Sequence, residues 1–229
     1  MAESEQDTFT VDEDLVQSPT LSTPSTSAHD FDGLIETKLI LHQDLKSGNG
    51  GRVWQAGEIL TKWLLRTKRE TLRKASIVEL GSGVGFCGLA IAVGCQPENA
   101  IYITDQQTMI PLMQRNIDLN NLGDKVKACV YNWGEQPDSE LPSPPDVVLA
   151  ADCVYFEPAF PLLQQTLRDL IGPSTVCYFC FKRRRRADMH FLKAIKKQFQ
   201  VEDVKDDPDQ PSYARENIYL FTIRRKPER

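Results

Sequence analysis

Long apolar runs are missing from this 229-residue chain. No stretch approaches the ~18 consecutive apolar residues that a membrane-crossing helix needs. No basic segment followed by an apolar one opens the sequence, so neither a membrane span nor a secretory signal is expected. Histidine is scarce: His29, His42 and His190 are scattered without metal-ligand spacing, and no metal is expected. No internal repeat is visible, which excludes solenoids and propellers. Residues 1–30 lack Lys and Arg altogether, carry seven acids, and are rich in Ser, Thr and Pro. Such a segment buries too little apolar surface to offset its ordering entropy and is expected to be a disordered leader. Its Ser18-Pro19 and Thr23-Pro24 steps are candidate phosphorylation sites, or simply parts of a solubilising tail. Without the leader, 25 acids face 27 bases. The net charge of −5 therefore belongs to the leader, and the body over residues 31–229 is close to neutral.

What is present is a chain long enough for one large α/β domain, 41% apolar. Several of its six cysteines interrupt apolar runs, the pattern of small buried thiols in a reducing compartment, and a cytoplasmic protein is expected. Cys177-Tyr-Phe-Cys180 has the spacing of a redox or zinc pair. It lies inside a β-prone run, where its two thiols fall on opposite faces of a strand, so the expected role is structural.

Leu34–Leu41 alternates as a strand does, and Lys46–Gly51 is a glycine-rich turn. Val53–Leu65 has helical periodicity. From Ser76 the signals alternate. Strands are expected at Ser76–Leu80, Ala100–Thr104, Val126–Tyr131, Val147–Ala150, Thr175–Phe181, Val201–Val204 and Asn217–Arg224. Helices are expected at Phe86–Val93, Gln107–Asn121, Pro158–Leu170 and Ala187–Phe199. This order predicts an α/β fold: a doubly wound, mostly parallel seven-stranded sheet ending in an antiparallel edge hairpin.

Val78-Glu79-Leu80-Gly81-Ser82-Gly83-Val84-Gly85-Phe86-Cys87-Gly88 leaves a strand and opens a helix. Glycines there let backbone approach a ligand, and a helix N-terminus favours polar or negative groups. Asp105 ends the next strand, where an acid accepts the hydroxyls of an adenosine ribose. Together they point to an adenosine-containing cofactor. Glu79 favours S-adenosylmethionine (SAM) over NAD, because its carboxylate repels a pyrophosphate but suits a cationic ammonium, directly or through water.

Three further patches accompany the loop: Val53-Trp54-Gln55-Ala56-Gly57, Asn132-Trp133-Gly134 and Ala150-Ala151-Asp152-Cys153-Val154-Tyr155. The ordered set, over roughly residues 34–225, resembles the seven-β-strand protein-lysine methyltransferases with a post-strand Asp-x-x-Tyr motif. The basic run Lys182–Arg186 and the helix after it resemble the fungal branch acting on elongation factor 1-alpha. Some relatives carry Glu where this chain has Lys182-Arg183. The resemblance implies a class I methyltransferase fold, SAM as cofactor and a protein substrate, with elongation factor 1-alpha the suspected one. It also implies that Trp54 and Trp133 line the cofactor site, Trp133 against the adenine. Gly81, Ser82 and Gly83 would meet the methionine part, with Gly85 completing the loop. Asp105 would meet the ribose, and Ala151 would touch the cofactor through its backbone.

Asp152 and Tyr155 follow a strand at the edge where α/β sheets place ligands. Lysine must be neutral to attack a methyl group, yet its amine titrates near ~10.4, and a carboxylate near ~4 is a poor base for it. Asp152 is therefore expected to orient the amine and Tyr155 to wall the pocket, the competing role for Asp152 being a cap on the next helix. Arg183–Arg186 would dock a protein substrate, cap a helix, or contact nucleic acid. Nucleic acid is disfavoured by the near-neutral body and by the missing base-methyltransferase motif. A methyltransferase of RNA or a small molecule, and a silent SAM-binding protein, remain the alternative functions. A monomer is expected.

Overall fold

The computed structural model describes residues 23–227. Its first elements are two antiparallel strands, β1 (Ser25–His29) and β2 (Leu39–Gln43). β1 corrects the expected leader: residues 25–29 form a ribbon, while residues 1–22, with Ser18-Pro19, lie outside the described residues. The strand expected at Leu34–Leu41 is displaced to Leu39–Gln43. Phe31, Asp32 and Gly33 all take positive φ and turn the chain, so Leu34 and Ile35 are consumed in that turn.

Two helices follow, α1 (Gln55–Thr67) and α2 (Arg69–Lys74). β3 (Ile77–Leu80), α3 (Phe86–Cys95), β4 (Ile101–Asp105), α4 (Ile110–Leu119) and β5 (Val126–Val130) build one half of the main sheet. β6 (Val147–Ala151), α5 (Phe160–Leu170), β7 (Val176–Lys182), α6 (Arg186–Gln198), β8 (Phe199–Asp203), α7 (Gln210–Arg215) and β9 (Ile218–Arg225) build the other. The seven strands lie in the order β5-β4-β3-β6-β7-β9-β8. β9 runs antiparallel to both neighbours, and the remaining pairs are parallel. The doubly wound sheet read from the sequence is thus the fold, with β9 inserted between β7 and β8. The short helices α2 and α7 were not expected.

The central strands are apolar throughout because helices cover both faces. Val147, Leu149, Tyr178 and Cys180 face a core shared with α1, α3, α4 and β2. Val148, Ala150, Cys177 and Phe179 face a second core shared with α5 and α6. Cys177 and Cys180 therefore lie on opposite faces, both fully buried and both free. No helix among the described residues is long and apolar enough to cross a membrane.

Candidate active site

The chain winds from β3 through β4 to β5 in one direction and from β6 to β7 in the other. Strand order therefore reverses between β3 and β6, and open α/β sheets bind ligands in the crevice beyond the carboxyl ends at such a point. Gly81 follows β3 and Asp152 follows β6 at that edge.

On the β3 side, Gly81, Gly83 and Gly85 have φ of 59°, 55° and 82°, a region that side chains resist. A Cβ on Gly81 would stand 3.0 Å from the Trp133 ring and 3.1 Å from Cys153 Sγ. Gly83 is covered by Gly50, whose carbonyl oxygen would lie 2.5 Å from a Cβ there. Gly85 caps α3 and packs against Ile103 and Leu89. Asp105 reaches back from β4: one carboxylate oxygen accepts the Gly83 N–H at 2.8 Å and the other the Gln106 N–H at 2.7 Å. Burial raises its pKa, and those two backbone donors oppose the shift.

Glu79 and Ser82 lie beneath this loop. Glu79 is 2% exposed, and its carboxylate accepts the Gly88 N–H at 2.8 Å. Burial pushes its pKa up to about 7, against the lowering effect of that backbone bond and of Ser82 and Cys87. One carboxylate oxygen of Glu79 is thus engaged inside the protein, where it fixes the first turn of α3. The Ser82 hydroxyl accepts the Thr104 N–H at 2.9 Å and joins β3 to β4.

On the β6 side, Ala151 lies beside Gly57 of α1, 3.9 Å from where a Cβ would be. Asp152 holds φ at +55°, a left-handed conformation that Asp tolerates better than most residues. Its backbone N–H donates to the Cys180 carbonyl at 2.8 Å. Its carboxylate accepts both Nη atoms of Arg184, at 2.9 and 2.6 Å, and the Lys182 N–H at 3.2 Å. The Arg184 guanidinium also lies over Trp54, 5.4 Å from the ring centroid, as does Arg52 at 4.6 Å. Tyr155 is 44% exposed at the mouth, beside Phe156 at 56%. Burial raises the Tyr155 hydroxyl pKa, and the charges of Cys153, Asp105 and Asp152 add to the shift. The Tyr155 carbonyl accepts from Arg185.

Trp54, Asp152 and Arg184 are therefore in one place, and Gly81 and Trp133 in a neighbouring one. Two features escaped the sequence reading. The first is the Arg184 fork on Asp152. The second is the role of the turn at Lys46–Gly51, which straps the glycine loop and to which Trp54 is tied by its indole N–H on the Asn49 carbonyl at 2.9 Å. The glycine cluster at 48–51 was its only signal. The arginine run divides by role: Asp188 accepts the backbone N–H groups of Arg184 and Arg185 at 2.7 and 2.9 Å, while the side chains of Arg183 and Arg186 are exposed.

A backbone cradle, an adjacent indole and a strand-end carboxylate suit the parts of SAM. A sequence model described as lysine methyltransferase matches residues 34–198. The protein-lysine N-methyltransferase EFM6 of Saccharomyces cerevisiae is 38% identical over 208 residues, covering 79% of this chain and 83% of that protein. The mouse EEF1A lysine methyltransferase 3 is 32% identical over 165 residues, covering 71% and 69%. Among solved structures, the 16S rRNA methyltransferase RsmC of T. thermophilus, bound to AdoMet and guanosine, shares the fold. It superposes with a TM-score of 0.60 at 14% identity, over 90% of this chain and 51% of that one. The chain belongs to the lysine methyltransferase family. Its activity is SAM-dependent N-methylation of protein lysine.

Proposed function

We propose that the enzyme methylates a lysine of elongation factor 1-alpha, as a cytoplasmic monomer, using Asp152 and Tyr155 to receive the amine. The observation that carries the lysine site is the slot formed by Asp152 and Trp54, which already holds a cationic side chain, that of Arg184. Two vertebrate relatives named for EEF1A, from mouse and Xenopus tropicalis, support the substrate. Six free thiols, five of them buried, suit a reducing compartment.

When bound, SAM supplies an electrophilic methyl group on a sulfonium. Gly81 and Trp133 hold one part of it, and Asp105 accepts a ribose hydroxyl while keeping Gly83 in place. Glu79 and Ser82 act from below by fixing the loop. The Asp152 carboxylate orients the lysine amine, Tyr155 walls the slot, and the amine's proton leaves to water as the slot desolvates it.

The test is tritiated-SAM labelling of purified elongation factor 1-alpha, with Asp152→Ala alongside. Labelled protein with the natural enzyme, and at least ~hundredfold slower labelling with the variant, is expected. Normal labelling by Asp152→Ala removes Asp152 from the site. Label that enters only RNA moves the enzyme to a different substrate class.

A further inference from the structure

Arg184 raises a question that the methylation chemistry does not answer. Asp152 is the carboxylate proposed to orient the amine, yet three of its acceptor positions are committed: two to the Arg184 fork and one to the Lys182 N–H. Its side chain is only 6% exposed, so little room remains for an ammonium beside the guanidinium. The same guanidinium lies over Trp54, the aromatic face that a cation would use. Both partners of a lysine are thus taken by an arginine of the same chain.

Arg184 can leave without dismantling the loop. Its backbone is held separately by Asp188, through an N–H bond of 2.7 Å, and its side chain is about a third exposed. Two acids of this region, Asp188 and Glu216, already serve other groups. Asp188 is fully buried and holds Arg184 N–H, Arg185 N–H and the Arg185 side chain. Glu216 is engaged by Gln55 and Lys182. Its sequence neighbours Arg183, Arg185 and Arg186 are exposed cations, which favour an arriving acid. A guanidinium that leaves this pair for water gives up its bidentate bonds, and an acid on the arriving protein would restore them.

We propose that Arg184 occupies the place of the substrate ammonium in the free enzyme, and that a protein is accepted when it brings an acidic side chain beside its lysine to receive Arg184. Arg184 is on this view a specificity residue: lysines in basic or uncharged surroundings bind more weakly because they offer the displaced guanidinium no carboxylate. The inference rests on the assignment of the lysine slot to Asp152, but not on the identity of the substrate protein.

The first test uses n-butylammonium as a lysine side-chain probe, titrated into the S-adenosylhomocysteine-bound enzyme and followed by the Trp54 indole N–H resonance. Arg184→Gln should bind the probe roughly tenfold more tightly than the natural enzyme, because the competing cation is gone. Equal or weaker binding by the variant overturns the proposal, whatever protein is the natural substrate. The second test uses the peptide around the methylated lysine and the same peptide with its acids changed to amides. The natural enzyme should lose roughly tenfold in KM on the amide peptide, and Arg184→Gln should show no difference between the two. A merely structural Arg184 would instead lower kcat and leave the dependence on the acids intact. Arg184→Lys keeps the charge but not the fork and should fall between. Should Arg184→Gln not fold, the same two readings on Arg184→Lys decide the matter.

Discussion

The two halves of the sheet meet at one crevice but build their shares of it differently. The β3–β4–β5 half presents mainly backbone: three glycines at positive φ and one carboxylate that holds the loop. The β6–β7–β9–β8 half presents charged side chains held by one another, Asp152 by Arg184 and both Arg184 and Arg185 by Asp188. The first half is fixed before any ligand arrives, as a shared cofactor site should be. The second half is ionic and can exchange partners, as suits a site that must release one cation to receive another. Shape is invariant where the ligand is invariant, and exchangeable where recognition must discriminate.

The comparison breaks most sharply at Gly83. Gly83→Ala places a methyl group 2.5 Å from the Gly50 carbonyl in a left-handed backbone. Strain of this kind costs about 1–3 kcal/mol before the clash is counted. SAM affinity by calorimetry should fall roughly hundredfold, whereas Asp152→Ala should leave it within about threefold. Equal losses in both variants would mean that the two halves are not separable.

Glu79 sharpens the same comparison through pH. Its carboxyl titrates near about 7 in the fold because it is buried, against 4.5 for the ordinary side chain. Between those values the folded state binds more protons than the unfolded chain, so stability falls as pH rises through that window. The effect is at most ~3 kcal/mol. Glu79→Gln should flatten this part of the stability profile in urea melts at pH 5 and pH 8. An unchanged slope would place the titration elsewhere.

The smallest effect is expected at Arg186, exposed and among the described residues in no ion pair. Arg186→Ala should change stability by less than ~0.5 kcal/mol. It should alter KM for the protein substrate no more than about threefold, since it neighbours the exchangeable cation without being it.

What the sequence shows of this molecule follows the same division. Strand order, the helices of the main sheet and the positions of Gly81, Asp105 and Asp152 were legible because they are local: periodicity, glycine spacing and strand ends. The opposite facing of Cys177 and Cys180 came from strand geometry alone. β1 was not legible, because Ser25–His29 has no apolar alternation and pairs with β2 through its backbone. The inward turn of Glu79 depends on the Gly88 N–H, nine residues on. The Arg184–Asp152 fork joins residues 32 positions apart, and the run of arginines gave no sign that one of them was different.

The placement of β9 carries a consequence for the way the protein is made. Residues 218–225 lie between β7 and β8, and among the described residues β8 pairs with nothing else. During synthesis β7, with its Val, Tyr and Phe side chains, keeps one edge open until those residues emerge from the ribosome. A nascent chain halted before Ile218 would expose an apolar, unpaired strand, the kind of edge on which other chains aggregate. Completion of the sheet thus waits for residues 218–225, and until they are made the β7 edge stays open to other chains.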